Sequence, residues 1–227
     1  MGNREEFASD ELYHLYNRGT DKRSIFSSKS DHERFLALLY LCNNTEVVHI
    51  SNHRGRTLMD WLALPRAETL VDIGAYCLMP NHFHLLVREK GEGDISHFMQ
   101  KLMTGYTMYF NTRHERSGAL MQGKFKSSYV DTDRYLKYLF SYIHLNPVKL
   151  IDPKWKETGI ANRMKAQTHL ENFRYSSYPD YCGANRPEGV IINKQAMLEY
   201  AELPTDFKTS VEEWLEHPSE EFIEVEP

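Results

Sequence analysis

The stretch Tyr76-Cys77-Leu78-Met79-Pro80-Asn81-His82-Phe83-His84-Leu85-Leu86-Val87 constrains the fold more than any other part of the chain. Two apolar runs separated by Pro80-Asn81 predict adjacent strands, Leu70–Met79 and His82–Arg88, joined by a tight turn. A strand alternates its side chains, so His82 and His84 share one face while Phe83 enters a core. Two imidazoles about 6–7 Å apart along a strand can grip one metal ion. Ordinary histidines on a solvated face would look the same, because a two-residue pattern is short.

The flanking segments complete a sheet. Leu12–Asn17 reads as a first strand, closed by Arg18-Gly19. Asp31 can cap a helix running to about Asn44, with Phe35, Leu36, Leu38, Leu39 and Cys42 on its apolar side. Thr45–Glu68 reads as an irregular insertion with a basic patch (His53, Arg54, Arg56) and a short helix around Leu58–Leu62. From Ile95 to His114 the apolar positions recur at helical spacing. Lys124–Val130 is a fourth strand. Asp131-Thr132-Asp133 offers caps for a helix from Arg134 to Asn146, which Pro147 ends. The order β-α-β-β-α-β predicts an α+β, ferredoxin-like split βαβ fold: a four-stranded antiparallel sheet with one further helix after it. Val148–Pro204 reads as loop-rich, with an aromatic cluster (Phe173, Tyr175, Tyr178, Tyr181) that packs back on the sheet. Thr205–Pro227 is an acidic tail with a short helix near Val211–Leu215.

On the helix after the fourth strand, Tyr138, Tyr142 and Asn146 recur every fourth position and form one stripe, with His144 off it. The Asn146 amide oxygen could complete a three-ligand site with His82 and His84, leaving open positions for a substrate. The Tyr142 phenol would then lie one turn from the metal, with Tyr138 the fallback in the same stripe.

Charge decides less than it first suggests. The net charge of the 227 residues is −5, but Thr205–Pro227 alone carries −7, which leaves the body at +2. Counterion release on phosphate binding depends on local cations, not on whole-chain charge. No apolar run reaches the ~20 residues of a membrane helix. Met1–Asp10 carries no signal-peptide h-region. Cys42, Cys77 and Cys182 suggest neither a disulfide framework nor a cysteine zinc site, which fits a cytoplasmic protein.

The chain resembles the single-tyrosine HUH transposases, and within them the REP-associated tyrosine transposase branch. The stretches that carry the likeness are Tyr13-His14-Leu15-Tyr16-Asn17-Arg18-Gly19 with Ile25-Phe26, Leu78–Val87, Gly123-Lys124-Phe125-Lys126, and Tyr142-Ile143-His144-Leu145-Asn146-Pro147-Val148. Phe173–Tyr178, with Tyr181 and Gly183, is similar to the family's C-terminal aromatic segment. The resemblance implies cutting and rejoining of single-stranded DNA bearing hairpin-forming repeats. The cofactor it implies is Mg²⁺ or Mn²⁺ on His82, His84 and Asn146. Tyr142 would be the nucleophile, forming a 5′-phosphotyrosine link that conserves the phosphodiester bond energy.

Arg18, Lys22, Arg23, Lys124, Lys126 and Arg134 are the candidates for DNA phosphates, with exposed aromatics stacking unpaired bases. Residues 1–150 then form the catalytic domain, interrupted by 45–68. Residues 151–204 are an extension packed on it, and 205–227 a tail. The family likeness favours a monomer; a dimer exchanging the Tyr142 helix is the alternative. Two other functions fit the residues: a hairpin binder that does not cut, and a metal-dependent phosphoesterase that uses water.

Overall fold

The structure is a computed structural model that describes residues 7–46 and 55–200. Its strands are β1 (Leu12–Arg18), β2 (Val71–Met79), β3 (His82–Glu89) and β4 (Lys126–Tyr129). Its helices are α1 (Lys29–Cys42), α2 (Leu58–Leu62), α3 (Asp94–Arg113), α4 (Asp133–Leu145), α5 (Trp155–Thr158), α6 (Arg163–Asn172), α7 (Tyr178–Tyr181) and α8 (Lys194–Tyr200). The strands form one antiparallel sheet in the order β2-β3-β1-β4. This is the α+β arrangement with a four-stranded antiparallel sheet that the sequence predicts.

Alternation along the strands splits the core in two. Tyr13, Leu15, Phe83, Leu85 and Val87 meet α1 and α3 on one face. Leu12, Ala75, Cys77, Met79 and Leu86 meet α4 and the C-terminal helices on the other. All nine residues of β2 are buried, because both faces of that strand are covered. This explains why the Tyr76–Met79 run is apolar throughout rather than alternating.

The free edge of β2 is closed by the segment around Ser176. Leu78 N–H donates to the Tyr175 carbonyl at 2.9 Å and Ser177 N–H to the Tyr76 carbonyl at 3.0 Å. The Tyr181 hydroxyl donates to the Gly74 carbonyl at 2.7 Å. Pairing of this kind hides an edge that would otherwise recruit another chain. At Gly74 the strand bulges, and a Cβ there would collide with the Met197 side chain, so the close approach of α8 requires glycine.

Local chemistry shifts several boundaries from those read in the sequence. Ser28 caps α1, its hydroxyl accepting from Asp31 N–H at 3.3 Å. Asp31 sits inside the first turn, where its carboxylate accepts from Ser27 N–H at 2.9 Å and lies 3.1 Å from His114 Nε2. The fourth strand shortens to Lys126–Tyr129, with Lys124 left in the preceding turn. Pro147 ends α4 but does not turn the chain away: Asn146 keeps helical angles, and Asn146–Leu150 tightens into a 3₁₀ turn with Pro147 at its start, where its missing N–H costs nothing. Residues 151–200 carry four short helices where loops were expected. His53, Arg54, the helix at Val211–Leu215 and the acidic tail lie outside the described residues. Among the described residues no helix is long and apolar enough to cross a membrane.

Candidate active site

The site begins with the turn between β2 and β3. Met79 pairs with His82, so Pro80-Asn81 is a two-residue loop. Pro80 holds φ near −65°, and no positive-φ residue occurs there. The left-handed turn that two-residue hairpins favour is therefore absent. The segment after β1 holds the loop instead. Ile25 and Phe26 N–H groups donate to the Pro80 carbonyl at 2.8 and 3.0 Å, and Gly19 N–H to the Asn81 carbonyl at 2.9 Å. The Asn81 amide donates to the Lys22 carbonyl at 3.2 Å and faces His82 Nδ1 with its oxygen at 2.7 Å.

His82 and His84 leave β3 on the α4 side, their ring centroids 5.0 Å apart. His82 is half-buried and His84 fully buried. A third imidazole, His14 on β1, lies beside them: His14 Nε2 is 2.9 Å from His84 Nδ1. Burial drives the His14 pKa down to about 3. It also pushes His84 well below the ordinary histidine value, with the neighbouring His14 and His82 rings and the Lys156 ammonium opposing a second positive charge there. Both rings are therefore neutral at pH 7. Two buried nitrogens of this pair, His14 Nδ1 and His84 Nε2, have no hydrogen-bond partner. An unsatisfied buried polar atom costs about 1–3 kcal/mol and asks for an explanation.

Helix α4 supplies the other residues. Thr132 caps it, accepting from Tyr135 N–H at 3.2 Å. Two turns on, the Tyr142 ring packs edge-on to His84, centroids 5.4 Å apart, and lies 6.4 Å from His14. Tyr138 stacks behind it at 6.0 Å. The Asn146 amide donates to the Tyr142 carbonyl at 2.9 Å, which directs its oxygen elsewhere. Tyr142 is 1% exposed and Asn146 4%, so the phenol is as buried as any core aromatic. His144 faces away from this group. Its Nδ1–H donates to the Phe140 carbonyl at 2.8 Å, and its Nε2 lies 2.7 Å from the Ser177 hydroxyl.

One cation reaches the Tyr142 ring from the extension that the sequence reads as loop-rich. Lys156 Nζ, on α5, sits 4.6 Å from the Tyr142 ring centroid. Nothing periodic in the sequence announces it; its neighbour Trp155, 1% exposed, anchors α5 in the same core. His14 lies in a quoted motif but was given no role.

The expected phosphate contacts are distributed around this face. Arg18 pairs with His82 and Tyr16 with His84 across β1 and β3, and Lys126 pairs with Tyr16 across β1 and β4. Side chains of directly paired residues share a face, so Arg18 and Lys126 flank the histidines. Lys126 Nζ lies 5.8 Å from the Tyr16 ring centroid. Lys22 is exposed in the turn after β1. Arg23 lies beside it, ion-paired with Asp21 at 3.3 Å. Arg134 is exposed in the first turn of α4. Lys124 borders a groove with Met99, Met103, Met108 and Phe125 on the α3 side, across the sheet from the histidines.

The donor set tests a divalent cation directly. Among the described residues no group of three or more His, Cys, Asp or Glu could hold a metal ion, so any third protein donor would be of another residue type, such as the Asn146 amide. The partnerless Nε2 of His84 is a ready donor. Two imidazoles and an amide oxygen are neutral and mixed N/O, a set that suits Mn²⁺ better than oxygen-seeking Mg²⁺.

A split βαβ sheet whose covering helix sets a tyrosine against a histidine pair defines a narrow class of proteins. The sequence matches the family model described as "Transposase IS200 like" over residues 9–146, and the chain belongs to that family. No curated protein matches it. A solved REP-associated tyrosine transposase bound to a REP hairpin superposes with a TM-score of 0.51 at 11% identity, covering 83% of this chain and 90% of that one. At that identity the likeness is one of fold.

Proposed function

We propose that the protein is a strand-cleaving and strand-joining transposase for single-stranded DNA flanking a hairpin, acting in the cytoplasm through a covalent tyrosine–DNA intermediate. One observation carries the reading: a buried imidazole nitrogen with no partner, His84 Nε2, beside the ring of Tyr142. His82, His84 and Asn146 would hold Mn²⁺ or Mg²⁺. Such an ion, when bound, polarises the scissile phosphate and aligns it for in-line attack.

The chain's own residues do the rest. Tyr142 Oη forms a bond to the scissile phosphorus, the P–O3′ bond breaks, and the phenol proton leaves as the 3′ oxygen gains one. The DNA is left as a 5′-phosphotyrosine and a 3′-OH, and a second 3′-OH can reverse the step. A free phenol has a pKa of about 10, so attack needs help. Lys156, whose ammonium favours phenolate over phenol, is the residue placed to give it. Arg18 and Lys126 would draw the strand across the sheet face, with Lys22, Arg23 and Arg134 at its ends. Because Tyr142 is buried, the phosphate would enter past the half-buried members of this face, His82, Lys156 and Tyr16. Tyr142 stands beside the His84 of its own chain, which supports action as a monomer.

The test is a labelled hairpin with a single-stranded flank, incubated with Mn²⁺ and run on denaturing gels. A covalent adduct is expected from the natural protein and none from Tyr142→Phe, a loss of at least ~10³-fold. Free cleaved ends surviving Tyr142→Phe would instead identify a phosphoesterase that uses water. A mobility shift with no cleavage by either protein would identify a hairpin binder.

A further inference from the structure

The two ligand histidines each turn their Nδ1 to a neighbour that has no part in the reaction so far described. For His82 the neighbour is the Asn81 amide. Its NH₂ must face the Lys22 carbonyl, which can only accept, and this leaves Oδ1 against His82 Nδ1 at 2.7 Å. An amide oxygen accepts and never donates, so His82 carries a proton on Nδ1, and the neutral ring has its lone pair on Nε2. The contact is supported by backbone in an unfavourable conformation. Asp21 and Lys22 both have positive φ, at 55° and 57°, which costs about 1–2 kcal/mol per non-glycine residue. That turn delivers the Lys22 carbonyl which orients Asn81. Strain that persists around a ligand-supporting contact points to a function for the contact.

For His84 the neighbour is His14. Their shared hydrogen bond can run either way. If His14 donates, His84 carries its proton on Nε2 and offers no lone pair there. If His84 donates, its Nε2 is a donor atom for a cation, and the His14 proton sits on Nδ1, the second partnerless nitrogen. Ligation of His84 selects the second arrangement. His14 then holds the ring at a fixed angle and raises its basicity, as outer partners of metal-bound imidazoles do.

We propose that Asn81 and His14 are positioning residues of the cation site: they fix His82 and His84 in the Nδ1–H form, so that both Nε2 atoms present lone pairs to one divalent ion. This rests on the reading of His82 and His84 as ligands. Neither residue touches the reacting atoms.

The experiment is Mn²⁺ titration of the full chain by calorimetry and electron paramagnetic resonance, without DNA, together with long-range ¹H–¹⁵N spectra of the histidines. His14→Leu and Asn81→Leu should weaken Mn²⁺ binding by about 10–100-fold. His14→Gln and Asn81→Asp, which keep an acceptor facing Nδ1, should stay within about threefold of the natural protein on the same grounds. The spectra of the metal-free chain should show His82 protonated on Nδ1. Natural-strength Mn²⁺ binding by folded His14→Leu and Asn81→Leu overturns the proposal, as does an Nε2–H signal from His82. If His14→Leu does not fold, Asn81→Leu, in a half-buried turn, decides. His82→Ala and His84→Ala separate the two levels. If they keep full Mn²⁺ affinity, the ligand reading falls and this inference with it; if they lose it while the leucine variants do not, only the inference falls.

Discussion

His144 and His84 are both fully buried in the layer between the sheet and α4, and their surroundings treat them in opposite ways. At His144 every nitrogen is used: one bonds the Phe140 carbonyl of its own helix, the other the Ser177 hydroxyl of the segment that closes β2. At His84 one nitrogen faces another histidine and the other faces no hydrogen-bond partner. Burial is the main cause that lowers both pKa values, so neither burial nor titration separates structure from function here. Hydrogen-bond satisfaction does. A saturated ring fastens α4 to the C-terminal extension; an unsaturated one keeps a donor atom in reserve at a cost in stability.

The largest effects should come from a paired substitution. His84→Ala is expected to abolish Mn²⁺ binding and reduce adduct formation by at least ~10³-fold, equivalent to about 4 kcal/mol of barrier. It removes one orphaned nitrogen along with the ring but takes the partner from His14 Nε2, so its stability cost should be about 1–3 kcal/mol. His144→Ala is expected to leave Mn²⁺ affinity intact and to cost about 2–4 kcal/mol in urea unfolding, because it opens a cavity between α4 and the Ser177 segment and leaves the Ser177 hydroxyl proton only its longer bond to the Tyr76 carbonyl, at 3.4 Å. Full Mn²⁺ affinity in His84→Ala, or loss of Mn²⁺ binding in a folded His144→Ala, would break the contrast.

Acid should sharpen it. The folded-state pKa of His144 is about 3, against an ordinary 6.5, through burial. Above 6.5 the ring is neutral in both folded and unfolded chains and contributes no pH dependence. Between 6.5 and 3 the unfolded chain takes up a proton that the folded one refuses, so stability falls by up to about 1.4 kcal/mol per pH unit for this ring. Urea midpoints at pH 7, 6, 5 and 4 should fall progressively in the natural protein. The decline should be shallower by that increment in His144→Gln. An unchanged slope would mean that His144 is protonated in the folded chain.

The sequence exposes what depends on near neighbours. The β2–β3 hairpin, the shared face of His82 and His84, and the four-residue spacing of Tyr138, Tyr142 and Asn146 follow from the periods of strand and helix. The contact between His14 and His84 spans 70 positions. It exists only because β1 enters the sheet beside β3, so no local pattern could assign it. Ser28 rather than Asp31 caps α1, a choice that local sequence leaves open because both residue types cap helices well. His114, a long way along the chain, is what draws the Asp31 carboxylate inward. The helices of 151–200 carry little periodic signal because each is short, and their places depend on distant elements such as β2, α4 and one another.

Lys156 is the smallest and most discriminating case, since it belongs to the extension yet reaches the unsaturated side of the comparison. Its Nζ lies over the Tyr142 ring and its charge depresses the His84 pKa. A half-buried cation in this position acts in two directions. It attracts the phosphate and favours the phenolate, which helps the cutting step. It repels a divalent ion at His84, which weakens metal binding. Lys156→Met keeps most of the packing and removes only the charge. Adduct formation at saturating Mn²⁺ should fall by about tenfold, near 1.4 kcal/mol, while Mn²⁺ affinity measured without DNA rises. Lys156→Arg should restore adduct formation. A merely structural lysine would lower both quantities together or change neither, and that outcome would return α5 to the saturated, fastening side of the molecule.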